Sequence, residues 1–195
     1  MSQESSFLAA LERHRAAFSI MEDHQEDARK LLKMTLDCLN QGGKVLFMGN
    51  GGSAADSQHL AAELMVRYKK ERAPLAAIAL TTDTSILTAH PNDYEFASVF
   101  ERQVQGLART QDLVIGLTTS GQSENINRAL AAAKHVGAAT VALTGRDGGK
   151  VKDIADLPII IRCDETARIQ EAHMFIGHWL CEALDEAITS GDLAQ

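Results

Sequence analysis

Tryptophan occurs once, tyrosine twice and proline three times in 195 residues, and the 14 glycines fall far short of the one in three that a collagen repeat requires. Proline-rich linkers and low-complexity segments are therefore excluded. Cysteine is scarce and odd in number: Cys38, Cys163 and Cys181 stand far apart among apolar residues, which fits buried free thiols in a reducing compartment and not a disulfide framework. Positive charge is in deficit, with 19 Lys and Arg against 26 Asp and Glu and a formal charge of −7. No basic run exceeds Arg67, Lys69, Lys70 and Arg72, so nucleic acid is not an expected partner. No apolar run approaches the roughly 18 residues of a membrane helix. Met1 to Ser6 lacks the cationic start and apolar core of a signal peptide, and the expected location is the cytoplasm.

What the chain does have is an ordinary globular balance, 45% hydrophobic and 23% charged. One domain of this length buries about 70% of its unfolded surface and needs no metal or disulfide to hold a core. Five short apolar runs, Lys44–Met48, Ala76–Leu80, Asp112–Leu117, Ala139–Leu143 and Leu157–Ile161, read as buried strands. Their near-continuous apolarity points to a parallel sheet covered on both faces, an α/β doubly wound fold with five strands. Helical patterns over Ser53–Arg67, Tyr94–Leu107 and Ser123–Val136 supply crossovers, and a long one, Thr166 to Ile188, closes the chain. Ahead of the first strand, Gln3 to Asn40 carries two amphipathic patterns, around Phe7, Leu8, Leu11 and Phe18 and around Leu31, Leu32, Leu36 and Leu39. Either they cover the core or they pack against another subunit; the second reading is favoured.

In an open parallel sheet, ligands bind beyond the carboxyl ends of the strands. Two loops there draw attention. The first, Gly49-Asn50-Gly51-Gly52-Ser53-Ala54, formally matches the dinucleotide pattern G-x-G-x-x-A. That pattern also demands an acidic residue about 20 positions on to hold the ribose, whereas the second strand here runs into Thr81-Thr82-Asp83, nearly thirty residues past Ala54. The second loop, Thr118-Thr119-Ser120-Gly121-Gln122-Ser123, gathers four hydroxyls at the start of a helix. Hydroxyls, backbone N–H groups and a helix N-terminus can hold a phosphate without Lys or Arg; a plain Ser/Thr cap and turn is the alternative.

His59 and Glu63 lie at i and i+4, so they share one helix face a turn beyond the glycine loop. Either they form an exposed pair or they face a ligand. In the last helix Gln170, Met174 and His178 recur at four-residue steps on a mostly apolar pattern. A satisfied core histidine is the plain reading there. Two imidazoles, a carboxylate and an amide oxygen brought together would instead make a zinc or acid–base site.

Taken together, Gly49–Ser53, His59-Leu60-Ala61-Ala62-Glu63-Leu64, Asn92-Asp93, Thr119–Ser123, Leu143–Gly149 and Arg168-Ile169-Gln170-Glu171-Ala172-His173 resemble the sugar isomerase (SIS) domain family, and within it the phosphoheptose isomerases. The resemblance spans nearly the whole chain. It implies a single SIS domain over residues 1–195, with 1–41 as oligomerisation helices of a homotetramer whose active sites lie near subunit interfaces. It implies an aldose–ketose isomerase acting on a sugar phosphate, converting sedoheptulose 7-phosphate to D-glycero-D-manno-heptose 7-phosphate through an enediolate, for lipopolysaccharide core or related glycans. Glu63 and His178 match the catalytic base and the second acid–base residue. Asn50, Gly51, Gly52, Ser53, Arg67, Asn92, Asp93, Thr118, Thr119, Ser120, Ser123 and Gln170 match substrate contacts. His59, Glu63, Gln170 and His178 match ligands for one zinc per subunit. Where some members carry Asp before the Arg-Ile-Gln run, this chain has Ala167, and Thr118 replaces a Ser. A sister branch that associates with the replication initiator lacks the carboxylate and histidine; this chain keeps both, which favours the enzyme over an interaction module.

Overall fold

Strands β1 (Val45–Gly49) and β3 (Leu113–Thr118) are buried along their whole length, which an apolar run achieves only when both faces of the sheet are covered. The computed structural model describes residues 6–193. In chain order these run α1 (Phe7–Ser19), a 3-10 turn Ile20–His24, α2 (Gln25–Asn40), β1, α3 (Gly52–Met65), β2 (Ala77–Ala79), α4 (Thr84–Asp93), a 3-10 turn Phe96–Ser98, α5 (Val99–Leu107), β3, α6 (Glu124–Val136), β4 (Ala139–Gly145), a 3-10 turn Lys150–Asp153, β5 (Leu157–Ile161) and α7 (Thr166–Ser190). All pairings are parallel, in the order β2-β1-β3-β4-β5.

Successive residues of a strand point to opposite faces, and the two cores divide accordingly. Val45, Phe47, Leu113, Ile115, Leu117, Val141 and Leu143 join α2, α3 and α7 on one side. Leu46, Met48, Val114 and Ala142 join α5 and α6 on the other. Each fully buried Leu, Ile or Phe contributes about 1.5–3 kcal/mol. At the amino ends of β1 and β3, the Asp112 carboxylate, 1% exposed, accepts from Lys44 N, Lys44 Nζ and Arg109 N. The strand order reverses direction between β1 and β3, so their carboxyl ends open a crevice, the ligand position of this architecture.

Three expectations need correction. The expected crossover Tyr94–Leu107 is a 3-10 turn followed by α5, which begins only at Val99, and a further helix precedes it: Asp83 caps α4 by accepting from Ile86 N at 2.9 Å, and α4 ends at Asp93. A Thr- and Ser-rich start hid α4 from an apolar pattern. Strand β2 is only three residues long and leaves Ile78 37% exposed, as the edge position permits. Finally α7 reaches Ser190, where Gly191 at φ 87° ends it.

Of the N-terminal pair, α2 contributes Leu31 and Cys38 to the core, so it is in part the core helix of the plain reading. Helix α1 is held on α7 by Arg13–Glu165 (2.8 Å), His14–Glu171 (2.7 Å) and Arg168 donating to the Ala10 carbonyl (3.3 Å), yet leaves Phe7 81% and Leu8 70% exposed. Gln3 to Ser5 of the expected helical pattern lie outside the described residues. Among the described residues no helix is long and apolar enough to cross a membrane. Cys38 and Cys181 are buried as expected, whereas Cys163 is half-buried. Burial pushes the Cys38 thiol up to about 11 and the Cys181 thiol up to about 12.

Candidate active site

The two loops read from sequence stand side by side at the carboxyl ends of β1 and β3. A reciprocal amide pair clamps them: Asn50 Nδ2 donates to Asn125 Oδ1 at 3.0 Å, and Asn125 Nδ2 donates back to Asn50 Oδ1 at 2.8 Å. Ser123 is the residue before α6 but does not cap it through its side chain. Its hydroxyl accepts from Thr118 Oγ1 at 3.1 Å, and its carbonyl accepts from Ile126 N and Asn127 N, so the N–H groups of Glu124 and Asn125 open α6 without a side-chain cap. Ser120 Oγ accepts from Gln122 N at 3.2 Å. At Gly121 the backbone sits at φ 65°, and a Cβ there would lie 2.1 Å from the Gly148 carbonyl, so only glycine lets this loop rest on the loop after β4. The Asp147-Gly148-Gly149 turn thus supports the hydroxyl loop from behind. N–H donors at a helix start, hydroxyls and a helix dipole together are the chemistry that can cradle an anion.

Helices α3 and α7 bring the second group together. They approach closely because residue 177 is glycine: a Cβ there would lie 2.5 Å from Leu60 Cδ2. On either side of this contact, His59 Nε2 and His178 Nε2 come within 2.9 Å, and Glu63 Oε1 lies 3.4 Å from His59 Nε2. The rings of His59 and His178 meet edge to face, 5.1 Å between centroids. Gln170 enters from the first turns of α7 and lays its amide over Gly52, at the start of α3. The Glu63 side chain is 22% exposed and His59 47%, so the carboxylate is half-buried at the edge of an open crevice.

Two facing imidazole nitrogens in hydrogen-bond range require one to donate and one to accept, or both to turn to a shared cation. Among the described residues no group of three or more His, Cys, Asp or Glu is already gathered as a metal cluster. Two imidazoles with a carboxylate beside them are nevertheless donors that suit zinc, while the Gln170 amide, the fourth member of the expected set, lies over Gly52.

The structure does not bring every expected contact here. Arg67 pairs with Glu71 at 3.9 Å on the surface. Asn92 donates to Asp93 at 2.9 Å, both exposed at the end of α4, and neither bonds to the two loops. Ser53 is 3% exposed and Thr118 3%, so each lies beneath the cradle. Near Ala167 the carboxylate of Glu165 is engaged by Arg13 and Arg168. Sequence reasoning missed Asn125, whose position two residues after Ser123 was a usable signal. It missed Tyr68, whose ring stacks on His178 at 5.8 Å between centroids. It also missed Asp56, one turn before His59, where burial pushes the carboxyl up against the opposing pull of His59 and Oδ2 has no hydrogen-bond partner.

The SIS domain model matches residues 10–145. A phosphoheptose isomerase of Aquifex aeolicus is 59% identical over 150 residues, covering 77% of this chain and 78% of the relative. That of Geotalea daltonii is 50% identical over 170 residues, covering 87% and 88%. Among solved structures, the phosphoheptose isomerase of Neisseria gonorrhoeae superposes with a TM-score of 0.87 at 42% identity, covering 94% of this chain and 98% of that one. A phosphoheptose isomerase of Francisella tularensis gives 0.91 at 35% identity, covering 95% and 100%.

Proposed function

The chain belongs to the SIS-domain family, as a sugar-phosphate isomerase of the phosphoheptose isomerase group, and on that premise we propose that it converts sedoheptulose 7-phosphate to D-glycero-D-manno-heptose 7-phosphate. The observation that carries the reading is the meeting of His59, Glu63 and His178 from two helices that flank the glycine loop, with the hydroxyl loop clamped beside it by Asn50 and Asn125. Moving a carbonyl between C2 and C1 takes a base for the carbon-bound proton, a donor and acceptor for the oxygen protons, and support for the enediolate between them.

In this reading Thr119, Ser120, Ser123 and the α6 N-terminus hold the phosphate, with Thr118 supporting the Ser123 hydroxyl from beneath. Binding there, remote from the reacting carbons, orients them. Asn50, Gly51, Gly52, Ser53 and Gln170 line the sugar. Glu63 removes the proton from C1 of the open-chain ketose and returns it to C2, a general-base role that contributes roughly 10²–10⁴-fold. His178 opens the ring and moves the proton between the C2 and C1 oxygens, since an imidazole can both donate and accept a proton. His59, Glu63, Gln170 and His178 would hold one zinc per subunit, which when bound supplies Lewis-acid polarisation of the substrate oxygens.

Arg67, Asn92 and Asp93 join the substrate contacts in a homotetramer whose active sites lie near subunit interfaces. The apolar residues that α1 leaves exposed, Phe7 and Leu8, support residues 1–41 as the oligomerisation helices. The product feeds lipopolysaccharide core or a related glycan, and the enzyme works in the cytoplasm. The test is incubation of purified protein with sedoheptulose 7-phosphate, with the heptose 7-phosphate read by coupled assay. Sustained turnover is expected. No turnover, with the phosphosugar recovered unchanged, overturns the substrate assignment and returns the initiator-binding module as the reading to examine. For the metal, elemental analysis of protein purified without chelator is expected to give about one zinc per chain, lost in His59→Gln. Zinc-free protein overturns it.

A further inference from the structure

Among the described residues one ion pair is almost completely hidden. The side chains of Arg72 and Asp185 are 1% and 2% exposed, with Arg72 Nε donating to Asp185 Oδ1 at 2.9 Å. A buried pair of this kind is weak evidence for stability in itself, because desolvating two charges offsets most of their attraction. What distinguishes this one is where its remaining hydrogen bonds go.

Helix α3 ends at Met65 without a glycine stop and without a basic residue in its last turn. Its final carbonyl groups need partners from elsewhere. Val66 N serves the Ala62 carbonyl and Leu75 N the Leu64 carbonyl, and Arg72 supplies the rest: Nη2 donates to the Glu63 carbonyl at 2.8 Å and Nη1 shares the Leu64 carbonyl at 2.9 Å. A positive group at this end of the helix also meets the negative end of its dipole. On the other side, Asp185 belongs to α7, about two turns beyond His178. Its Oδ2 accepts from Lys69 N at 3.0 Å and Lys70 N at 2.9 Å. The segment between them and α3 carries Tyr68, whose ring stacks on His178.

We propose that Arg72 and Asp185 are positioning residues for the isomerisation: together they hold the last turn of α3, which carries Glu63, and the segment bearing Tyr68 against α7, which carries His178. This rests on the assignment of Glu63 and His178 as the acid–base pair. Neither Arg72 nor Asp185 touches substrate. They act by fixing the separation and orientation of the two groups that do. Only the planar, forked guanidinium reaches the carbonyls of Glu63, Leu64 and Ala73 and a carboxylate at once; a lysine ammonium would keep the charge and lose the fork.

The test compares Arg72→Lys, Asp185→Asn and Glu63→Gln with the parent, measuring kcat and KM for sedoheptulose 7-phosphate and thermal unfolding of each. Arg72→Lys and Asp185→Asn are expected to fold, to keep KM within about threefold, and to lose between about 10-fold and 100-fold in kcat, the scale of a 1 Å misplacement. If the pair served stability alone, Arg72→Lys would lower the Tm and leave kcat unchanged. A folded Arg72→Lys or Asp185→Asn with kcat within about twofold of the parent, or with a loss confined to KM, overturns the inference. Should both single variants fail to fold, Arg72→Met combined with Asp185→Leu replaces the pair by apolar groups and carries the same comparison. Glu63→Gln separates the two levels of the claim. Normal turnover in that variant removes the acid–base assignment itself, whereas an inactive Glu63→Gln beside an unaffected Arg72→Lys removes only the positioning role.

Discussion

Replacing Gly52 by alanine should leave the protein folded and disable its site. Gly52 opens α3 with an ordinary backbone conformation, so alanine fits the backbone and favours the helix by up to about 1 kcal/mol. Its Cβ, however, would stand 2.3 Å from Gln170 Nε2 and 3.1 Å from Gln170 Cδ, where ordinary contact begins at 3.4 Å. The obstacle is the end of a flexible side chain, so the amide retreats by about 1 Å and the backbone stays in place. A displacement of that size at a reacting site costs on the order of 10²-fold. The assay is kcat/KM with sedoheptulose 7-phosphate, alongside thermal unfolding. The Tm should move by no more than a few degrees, the range of about 1 kcal/mol in a chain of this size, while kcat/KM falls by about 10- to 100-fold. In a Gln170→Ala background the same substitution should add little, because the group it displaces is gone. A folded Gly52→Ala with unchanged kcat/KM would refute the placement of Gln170 in the site.

Acid sensitivity should trace partly to His173. It is fully buried and donates to the Thr144 carbonyl at 3.1 Å, and burial pulls its pKa down to about 4 against the raising effect of that hydrogen bond. The unfolded chain takes up this proton near pH 6.5 and the folded one does not, so stability is unaffected above that pH and falls as pH drops from 6.5 towards 4. Urea unfolding should lose about 1.6 kcal/mol from this residue between pH 6.5 and 5, a loss that His173→Gln removes if it folds; an equal slope in that variant contradicts the assignment. Native thiol titration should find Cys163 as the reactive cysteine, since Cys38 and Cys181 are buried with raised pKa values. Rapid labelling of three thiols in folded protein would contradict that packing.

Those parts of the fold that depend on local pattern could be read from the sequence. Continuous apolar runs such as Val45–Met48 announced strands covered on both faces, and the spacing of His59 and Glu63 placed both on one side of α3. Loop position at strand ends followed from the fold class alone. What stayed hidden depends on contacts between distant segments. Nothing near Arg72 indicates that its partner stands 113 residues away, nor that Gly121 needs its special backbone because Gly148 lies behind it. Tyr68 looked like an ordinary residue beside a basic stretch until α7 folded over it. The α4 helix escaped because its capping by Asp83, and not an apolar stripe, marks where it begins.

The most direct measurement is incorporation of solvent deuterium into carbon of the phosphosugar during turnover in deuterium oxide. If Glu63 carries the proton between C1 and C2, the parent enzyme places deuterium on carbon and Glu63→Gln, still folded, does so at least about 10²-fold more slowly. Exchange at the parent's rate in Glu63→Gln would contradict the account.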